Sequence, residues 1–172
     1  MRAEHIDATL FLGMHAFDES IRRACKNFFV ERLADSTVVM SFEQVGRCDA
    51  LVWRYGRAEQ DDYYPFMDVL HTDMDIQRRP YGLRDVEAAQ AANLTGLDLI
   101  ERLTVGMVLA DGGELVTISP RLLDLADAPT RAPSVGEELA FPKPLEELYQ
   151  RSLALRVQGE DLLTCTRERS FH

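Results

Sequence analysis

Residues 6–12 read IDATLFL, an apolar run that contains one carboxylate, Asp7, next to its start. A strand that is covered on both faces of a sheet is apolar along its whole length, so we predict a first strand from Ile6 to Leu12. An ionisable side chain inside such a run is costly unless it is paired. Asp7 is therefore the first candidate for a functional residue.

The segments that follow alternate between helix and strand patterns. Residues 18–34 carry apolar side chains at three- and four-residue steps, which predicts an amphipathic helix capped by Asp18 or Ser20. The segments 37–40 and 114–118 predict two further strands. This alternation predicts an α/β fold, a three-layer sandwich with a central, mostly parallel sheet and helices on both faces. In such sheets, ligand sites form beyond the carboxyl ends of the strands.

The remaining elements follow from caps, glycines and prolines. Ser41 and Gln44 form a capping box at the start of a helix, and Thr95 and Asp98 form a variant of it. The Asp-Gly-Gly segment at 111–113 ends that later helix. We predict helices at 42–55, 65–71, 83–92, 95–109 and 144–157, loops at 56–65 and 73–82, a proline-rich linker at 124–144 and an edge strand within 161–172.

The composition suits a cytoplasmic protein with one core. The chain of 172 residues has no apolar run near the roughly 20 residues that a membrane-spanning helix needs, and a signal peptide would not keep a carboxylate in its apolar region. The scattered Cys25, Cys48 and Cys165 fit reduced thiols, the first two buried. A net charge of −10 argues against a protein that coats nucleic acid, but not against a nuclease whose carboxylates bind cations.

Four segments, in this order, resemble the PIN-domain family of nucleases. IDATLFLG supplies Asp7 in an apolar strand, and VVMSFEQV supplies Glu43 at a helix start. LTGLDLIERL supplies Asp98 at the start of a later helix. LVTISPRL resembles the closing strand of the family, with Ser119 where the family has a fourth acid.

The arginine- and alanine-rich composition indicates a GC-rich genome, and we expect a bacterial protein.

The resemblance covers residues 4–123, implies a PIN-like domain there, and leaves 124–172 as a C-terminal extension. It implies that Asp7, Glu43 and Asp98 bind Mg²⁺ or Mn²⁺ and carry out catalysis. Clustered carboxylates stay ionised when cations pair with them, and a metal-bound water can attack a phosphodiester. The implied function is a metal-dependent endoribonuclease, with a toxin of a toxin–antitoxin pair as one form. RNA, an antitoxin-like protein and a second copy of the chain are then the expected partners.

Ser119 opens an alternative to the nuclease. A neutral hydroxyl binds Mg²⁺ poorly, so the site lacks one charge unless Glu101 or Glu114 replaces it. Thr117 and Ser41 are further candidates to support the site. The alternative is a PIN-like protein that no longer cuts and acts as a binding or regulatory module, or as a metal-assisted accessory protein in a biosynthetic pathway. A fold by itself does not decide between these functions.

Several candidate residues also have structural explanations. Asp98 can cap its helix, and Glu43 can form an ion pair with Arg47 one turn later. Arg78 and Arg79 are candidates for contacting RNA phosphates, the alternative being a solvated pair in a loop.

His15, a group of aromatic residues and the tail helix each allow either a functional role or a packing role. His15 is a candidate to line the site after the first strand, the alternative being a packing residue. The tail helix at 144–157 carries an apolar stripe that suits either a dimer contact or packing on its own sheet. Aromatic residues that could stack on a base or pack in the core are Trp53, Tyr55, Tyr63, Tyr64 and Phe66.

Overall fold

The central sheet is parallel throughout, as the alternating sequence pattern predicts. The computed structural model describes residues 2–165, and within them five strands lie in the order β3-β2-β1-β4-β5. The strands are β1 (Glu4–Ile6), β2 (Val38–Ser41), β3 (Ile76–Arg79), β4 (Glu114–Val116) and β5 (Thr130–Arg131). β1 is central, and Glu4 lies opposite both Val38 of β2 and Glu114 of β4. The carboxyl ends of these three strands therefore meet at one edge of the sheet.

Helices connect the strands and cover the sheet. They are α1 (Ala8–Gly13), α2 (Glu19–Arg32), α3 (Phe42–Val52), α4 (Arg57–Asp73), α5 (Leu83–Ala88), α6 (Leu99–Ala110), α7 (Pro120–Leu123), α8 (Lys143–Ser152) and α9 (Gly159–Thr164). Between residues 2 and 165, none of them is both long enough and apolar enough to cross a membrane. The prediction of an α/β sandwich with a parallel sheet is confirmed.

The first strand is shorter than the apolar run predicts. β1 ends at Ile6, and Asp7 is the N-terminal cap of α1, whose amide group at Thr9 donates to the Asp7 carboxylate. Every residue of α1 is buried, so this mostly apolar helix has no solvent-exposed face. A short buried helix and a buried strand give the same apolar run, and the prediction of a strand through Leu12 is wrong for that reason.

The predicted loop at 56–65 is instead the first half of α4. This helix buries an apolar stripe that includes Tyr63, Phe66 and Leu70, while Pro65 faces solvent. A proline inside a helix removes one hydrogen bond, which made it a plausible helix start in the sequence. The buried stripe outweighs that loss, because most helix stability in proteins comes from packing an amphipathic face.

Two short edge elements also differ from the predictions. β3 lies within the predicted loop at 73–82, and only its first residue, Ile76, is buried, so the sequence shows no apolar alternation there. Short, charged edge strands of this kind are common because they resist further pairing. The predicted final edge strand begins inside α9, and its residues 166–172 lie outside the part of the chain that the structure describes.

Local capping signals placed other helix ends well. Asp18 caps α2 and Ser41 caps α3, each with its side chain accepting from backbone amides of the first turn. α6 begins at Leu99, with Asp98 as its cap, rather than at Thr95. It ends before Gly112, whose φ of 61° is one that glycine adopts without strain.

Two cysteines are buried as predicted. Cys25 and Cys48 lie in the main core as free thiols. Burial raises the pKa of both thiols, so the reactive thiolate is disfavoured. They serve as small apolar side chains.

The C-terminal extension forms part of the main core. α8 packs against α4, and Phe141, Tyr149 and Val157 share one apolar cluster with Phe11 and Phe29. Phe66 of α4 contacts the ring of Tyr149, with the ring centroids 5.2 Å apart. The apolar stripe of the tail helix is therefore covered within its own chain.

Lys26 of α2 fixes the extension to the rest of the molecule. Its side chain is only 1% exposed, and Nζ donates to Glu138 and to Glu146, each at 2.8 Å. The same ammonium group lies 4.8 Å from the centre of the Tyr149 ring. A buried ammonium is tolerated here because two carboxylates and an aromatic face surround it.

We expect Lys26→Ala to lower the free energy of unfolding by about 3 kcal/mol, because it removes one partner of a buried ion pair. Denaturant unfolding followed by circular dichroism measures the change. Arg57→Ala, which breaks an exposed pair with Asp61, is the matched control and should leave the midpoint unchanged. Equal effects of the two substitutions would contradict the structural role of Lys26.

Candidate functional site

Asp7 occupies the carboxyl end of the central strand and is fully buried. Its Oδ1 accepts hydrogen bonds from the amide group of Thr9, at 2.9 Å, and from the Thr9 hydroxyl. Its Oδ2 accepts from the Thr117 hydroxyl at 2.6 Å. Burial raises the pKa of Asp7 to about 6, while the threonine hydrogen bonds act in the opposite direction. The acid inside the apolar segment is therefore paired by neutral donors.

The end of β4 joins this cluster through Thr117. The Thr117 hydroxyl lies 3.2 Å from the Thr9 hydroxyl and accepts from the amide group of Ser119 at 3.1 Å. Ser119 is buried and caps the start of α7. Thr117 therefore contacts Asp7 directly, Ser119 joins the cluster through its backbone amide, and neither residue is a further acid.

The end of β2 contributes an amide rather than a carboxylate. Gln44, which is fully buried, accepts from the amide group of Ala8 at 3.0 Å and donates to the Thr104 hydroxyl at 3.1 Å. Glu43 instead forms an ion pair with Arg47 at 2.9 Å, and its side chain is 38% exposed. Successive residues of a helix point about 100° apart, so only one of the two can face the Asp7 segment. That residue is Gln44.

Two acids lie together at the start of α6. Asp98 caps the helix, and its Oδ1 accepts from the amide group of Glu101 at 3.0 Å. Glu101 is fully buried, and Arg121 of α7 donates to its two oxygens, at 3.1 Å from Nε and 3.0 Å from Nη2. The hydrogen bond to Glu101 and the charge of Glu101 raise the pKa of Arg121, and the charge of Asp98 adds to this rise. One guanidinium therefore neutralises a buried carboxylate and lies close to a second one.

The sequence analysis did not identify Arg121 as a candidate site residue, although its position in the chain could have suggested it. It follows Ser119 by two residues, directly after the strand end where the resemblance places an acid. An arginine at that position can reach the start of α6 because α7 turns back toward it.

A chain of neutral hydroxyls links the start of α3 to α6. Ser41 accepts from the backbone amide of Gln44 at 3.1 Å and donates to the Tyr81 hydroxyl at 3.2 Å. Tyr81 is also 3.4 Å from Thr104, the partner of Gln44. Hydroxyls and an amide bind ligands through neutral hydrogen bonds, and they hold a divalent cation poorly compared with carboxylates.

The predicted acids do not form one metal-binding group in the part of the chain that the structure describes. No set of three or more His, Cys, Asp and Glu side chains within residues 2–165 is arranged to hold a metal ion. Asp7 is bonded to threonines, Glu43 to Arg47, and Glu101 to Arg121. The residues as placed do not fit Mg²⁺ or Mn²⁺, which require several oxygen ligands around one point.

The predicted arginine pair is divided between two environments. Arg79 donates to Asp85 at 2.7 Å and to Asp111 at 2.8 Å, so it serves an internal ion-pair network. Arg78, its exposed neighbour on β3, lines a cavity between α3 and α4.

His15 and most of the predicted aromatic residues have packing roles. His15 is buried, contacts the Ser152 hydroxyl at 2.8 Å, and meets the ring of Tyr63 edge-on at 5.0 Å. Burial lowers the pKa of His15 to about 3, so the ring is neutral at physiological pH. The suggestion that His15 lines the site is wrong, because the ring points into the core that contains Phe66. Trp53 differs, being 67% exposed.

The chain belongs to the DUF6190 family, a family of unknown function whose model matches residues 1–162. The matched segment contains Asp7, Ser119 and Arg121, together with most of the C-terminal extension. Among curated proteins, none matches the chain.

We expect Asp7→Asn to remove a pH dependence of stability. The folded-state pKa of Asp7, about 6, lies above the ordinary value of 3.8, so the folded protein binds more protons in this interval. The contribution of Asp7 to stability therefore falls as pH rises from about 4 to 7, by up to about 3 kcal/mol. Denaturant unfolding of both proteins across this range measures the difference between their free energies of unfolding. The wild type should lose stability relative to Asp7→Asn as pH rises. A difference that is constant with pH would contradict the prediction.

Proposed function

We propose that this member of the DUF6190 family is a PIN-like protein that does not cut nucleic acid and acts as a binding or regulatory module. The observation that carries the proposal is the ion pair between Arg121 and the fully buried Glu101, beside Asp98. A cation from the chain itself occupies the place next to these acids.

A metal ion would have to displace this guanidinium. Displacing the half-exposed guanidinium breaks its two charge-assisted hydrogen bonds to the buried Glu101, and Mg²⁺ also gives up its water ligands reluctantly. Both terms disfavour metal binding at Asp98 and Glu101.

The other two strand ends support the same proposal. The neutral Gln44, not an acid, faces the Asp7 segment, and the neutral Ser119 is linked to Asp7 only through Thr117. A single carboxylate is a poor basis for holding a metal and activating a water on it. The buried Asp7, Thr117 and Gln44 make their hydrogen bonds within the chain, so a ligand or partner of such a module would meet the exposed surface rather than these groups.

A second candidate is the metal-dependent endoribonuclease that the resemblance implies. Its support is Asp7, an acid held at the carboxyl end of the central strand with Thr117 and Ser119 beside it. RNA as substrate, an antitoxin-like partner and a homodimer belong to this candidate. A net charge of −10 gives the chain little capacity to neutralise RNA phosphates by its own side chains.

Thermal unfolding with increasing Mn²⁺ tests whether Arg121 takes the place of a metal. We expect no metal-dependent change for the wild type, and a rise of several degrees for Arg121→Ala, because the freed carboxylates bind the ion only in the folded state. Arg57→Ala, an arginine whose partner Asp61 is exposed, is the control and should respond like the wild type. Metal-dependent stabilisation of the wild type would overturn the proposal.

Incubation of the wild type and of Asp7→Asn with mixed RNA and Mg²⁺ or Mn²⁺ separates the two candidates. The proposal predicts equal, background levels of cleavage for both proteins, because the carboxylates are internally paired. Gel analysis that shows cleavage by the wild type but not by Asp7→Asn would support the nuclease instead.

A further inference from the structure

Trp53, the single tryptophan of the chain, lies at the end of α3 with 67% of its surface exposed. Tryptophan is enriched among the residues that dominate binding at interfaces, because its large ring buries much area when a partner covers it. The turn that carries Trp53 is held by the Gln60 side chain, which donates to the carbonyl oxygen of Tyr55 at 2.8 Å and to that of Trp53 at 3.4 Å. The exposed ring is therefore mounted on a hydrogen-bonded turn.

Three further side chains form one surface with this ring. Asp49 lies one turn before Trp53, and Asp68 of α4 lies one turn after Tyr64, so each pair shares a helix face. The Tyr64 hydroxyl links the two helices by donating to Asp49 at 3.2 Å. Burial raises the pKa of Tyr64 to about 12 and Asp49 adds to the rise, while a hydrogen bond from the Trp53 side chain opposes it. These four residues, Asp49, Trp53, Tyr64 and Asp68, are called the Trp53 surface below.

The Trp53 surface carries two carboxylates that repel each other. Burial raises the pKa of Asp49, the charge of Asp68 adds to the rise, and within the described part of the chain only the Tyr64 hydroxyl opposes it. Arg78 lines the cavity between the same helices, but its charge is not among the influences on Asp49. A cation supplied from outside the chain would relieve this repulsion.

We propose that the Trp53 surface docks an arginine in a positively charged segment of a partner protein. The guanidinium stacks on the exposed indole ring and donates to the carboxylate of Asp49, one helical turn away. Asp68 attracts a further basic residue of the same segment. Arginine suits this pairing better than lysine, because its planar group stacks on a ring and donates in a fixed fork.

Other classes of partner suit these charges less well. A nucleic acid that stacked a base on Trp53 would bring its phosphates toward two carboxylates, in a chain whose net charge is −10. A purely apolar segment would desolvate both carboxylates without supplying a hydrogen-bond donor. A second copy of the chain has the same excess of negative charge, and a free amino acid brings a carboxylate of its own.

This docking role rests on the proposed function, since it names the kind of partner that a binding module would take. The surface is nevertheless distinct from the groups that the metal and RNA experiments address. Asp7 bonds to Thr9 and Thr117, and Arg121 bonds to Glu101, so none of these partners belongs to the Trp53 surface. Cleavage of RNA or stabilisation by Mn²⁺ would overturn the proposed function, whereas failure of the peptide titration below would overturn the docking role alone.

Because the chain has one tryptophan, its fluorescence reports directly on this surface. We expect the capped peptide GRRGRRG to change the Trp53 emission in a saturable way below about 1 mM, and the lysine peptide GKKGKKG to bind roughly threefold more weakly or worse. The acidic peptide GEEGEEG and a single-stranded oligothymidylate should leave the emission unchanged. The proposal is wrong if the arginine peptide gives no saturable change, if the lysine peptide binds equally well, or if the oligonucleotide binds more tightly. A shift of the emission when the protein alone is concentrated would assign the surface to a second copy and also overturn the proposal.

Substitutions measured by isothermal titration calorimetry make the test specific. Asp49→Asn keeps an oxygen that accepts from the Tyr64 hydroxyl, and it should weaken the arginine peptide about tenfold because a charged hydrogen bond is lost. Trp53→Leu should weaken the peptide to a similar extent and reduce the preference for arginine over lysine. Glu31→Gln, which removes one charge from an exposed side chain of α2, is the matched control. Binding that survives both surface substitutions, or that the control weakens equally, would contradict the docking role.

Circular dichroism and melting temperature separate a loss of docking from a loss of folding. Trp53 is mostly exposed and Asp49 reaches solvent, so neither substitution removes core packing. Weaker binding by a variant with the wild-type melting temperature is therefore a direct effect on the surface. The comparison of the arginine and lysine peptides on the wild type needs no variant, and it decides the proposal even where a variant fails to fold.

Discussion

The buried carboxylate of Asp7 is the constraint on which the centre of the molecule depends. A carboxylate withdrawn from water must find hydrogen bonds or lose its charge, and Asp7 finds them in Thr9 and Thr117. Thr117 lies at the end of β4, and Gln44 attaches the start of α3 to the amide group of Ala8. The requirements of one side chain and the backbone next to it therefore fix how β1, β2 and β4 meet.

This constraint also explains why the chain turns where it does. A strand that continued through residues 8–12 would carry Asp7 in its middle, with no helix amide groups to receive its charge. By capping α1 instead, the carboxylate accepts from the amide group of Thr9 and benefits from the positive end of the helix. The apolar run did not reveal this, because complete burial removes the periodicity that distinguishes a helix from a strand. The caps at Asp18 and Ser41 were readable because they depend on neighbouring residues alone.

In the candidate site too, features that depend on neighbouring residues could be predicted from the sequence, and features that depend on packing between distant segments could not. Asp7 could be singled out from the sequence, since an acid in an apolar run needs a partner whatever the fold. The choice between Glu43 and Gln44 depends on the rotation of α3 relative to α1, and a one-residue change in phase reverses it. Arg121 was missed because its partner, Glu101, is twenty residues away, and their contact exists only after α6 and α7 pack.

The ion pair of Arg121 and Glu101 shows why a buried acid is not by itself a sign of a metal site. A fully buried carboxylate needs hydrogen-bond donors or a cation, and for Glu101 either a metal ion or a guanidinium could meet that requirement. The acid by itself therefore does not indicate a metal. Once the chain supplies an arginine, the burial of Glu101 is accounted for without a metal ion. What a buried acid indicates is thus decided by the group that pairs with it, and here that group is recognised only once α6 and α7 have packed.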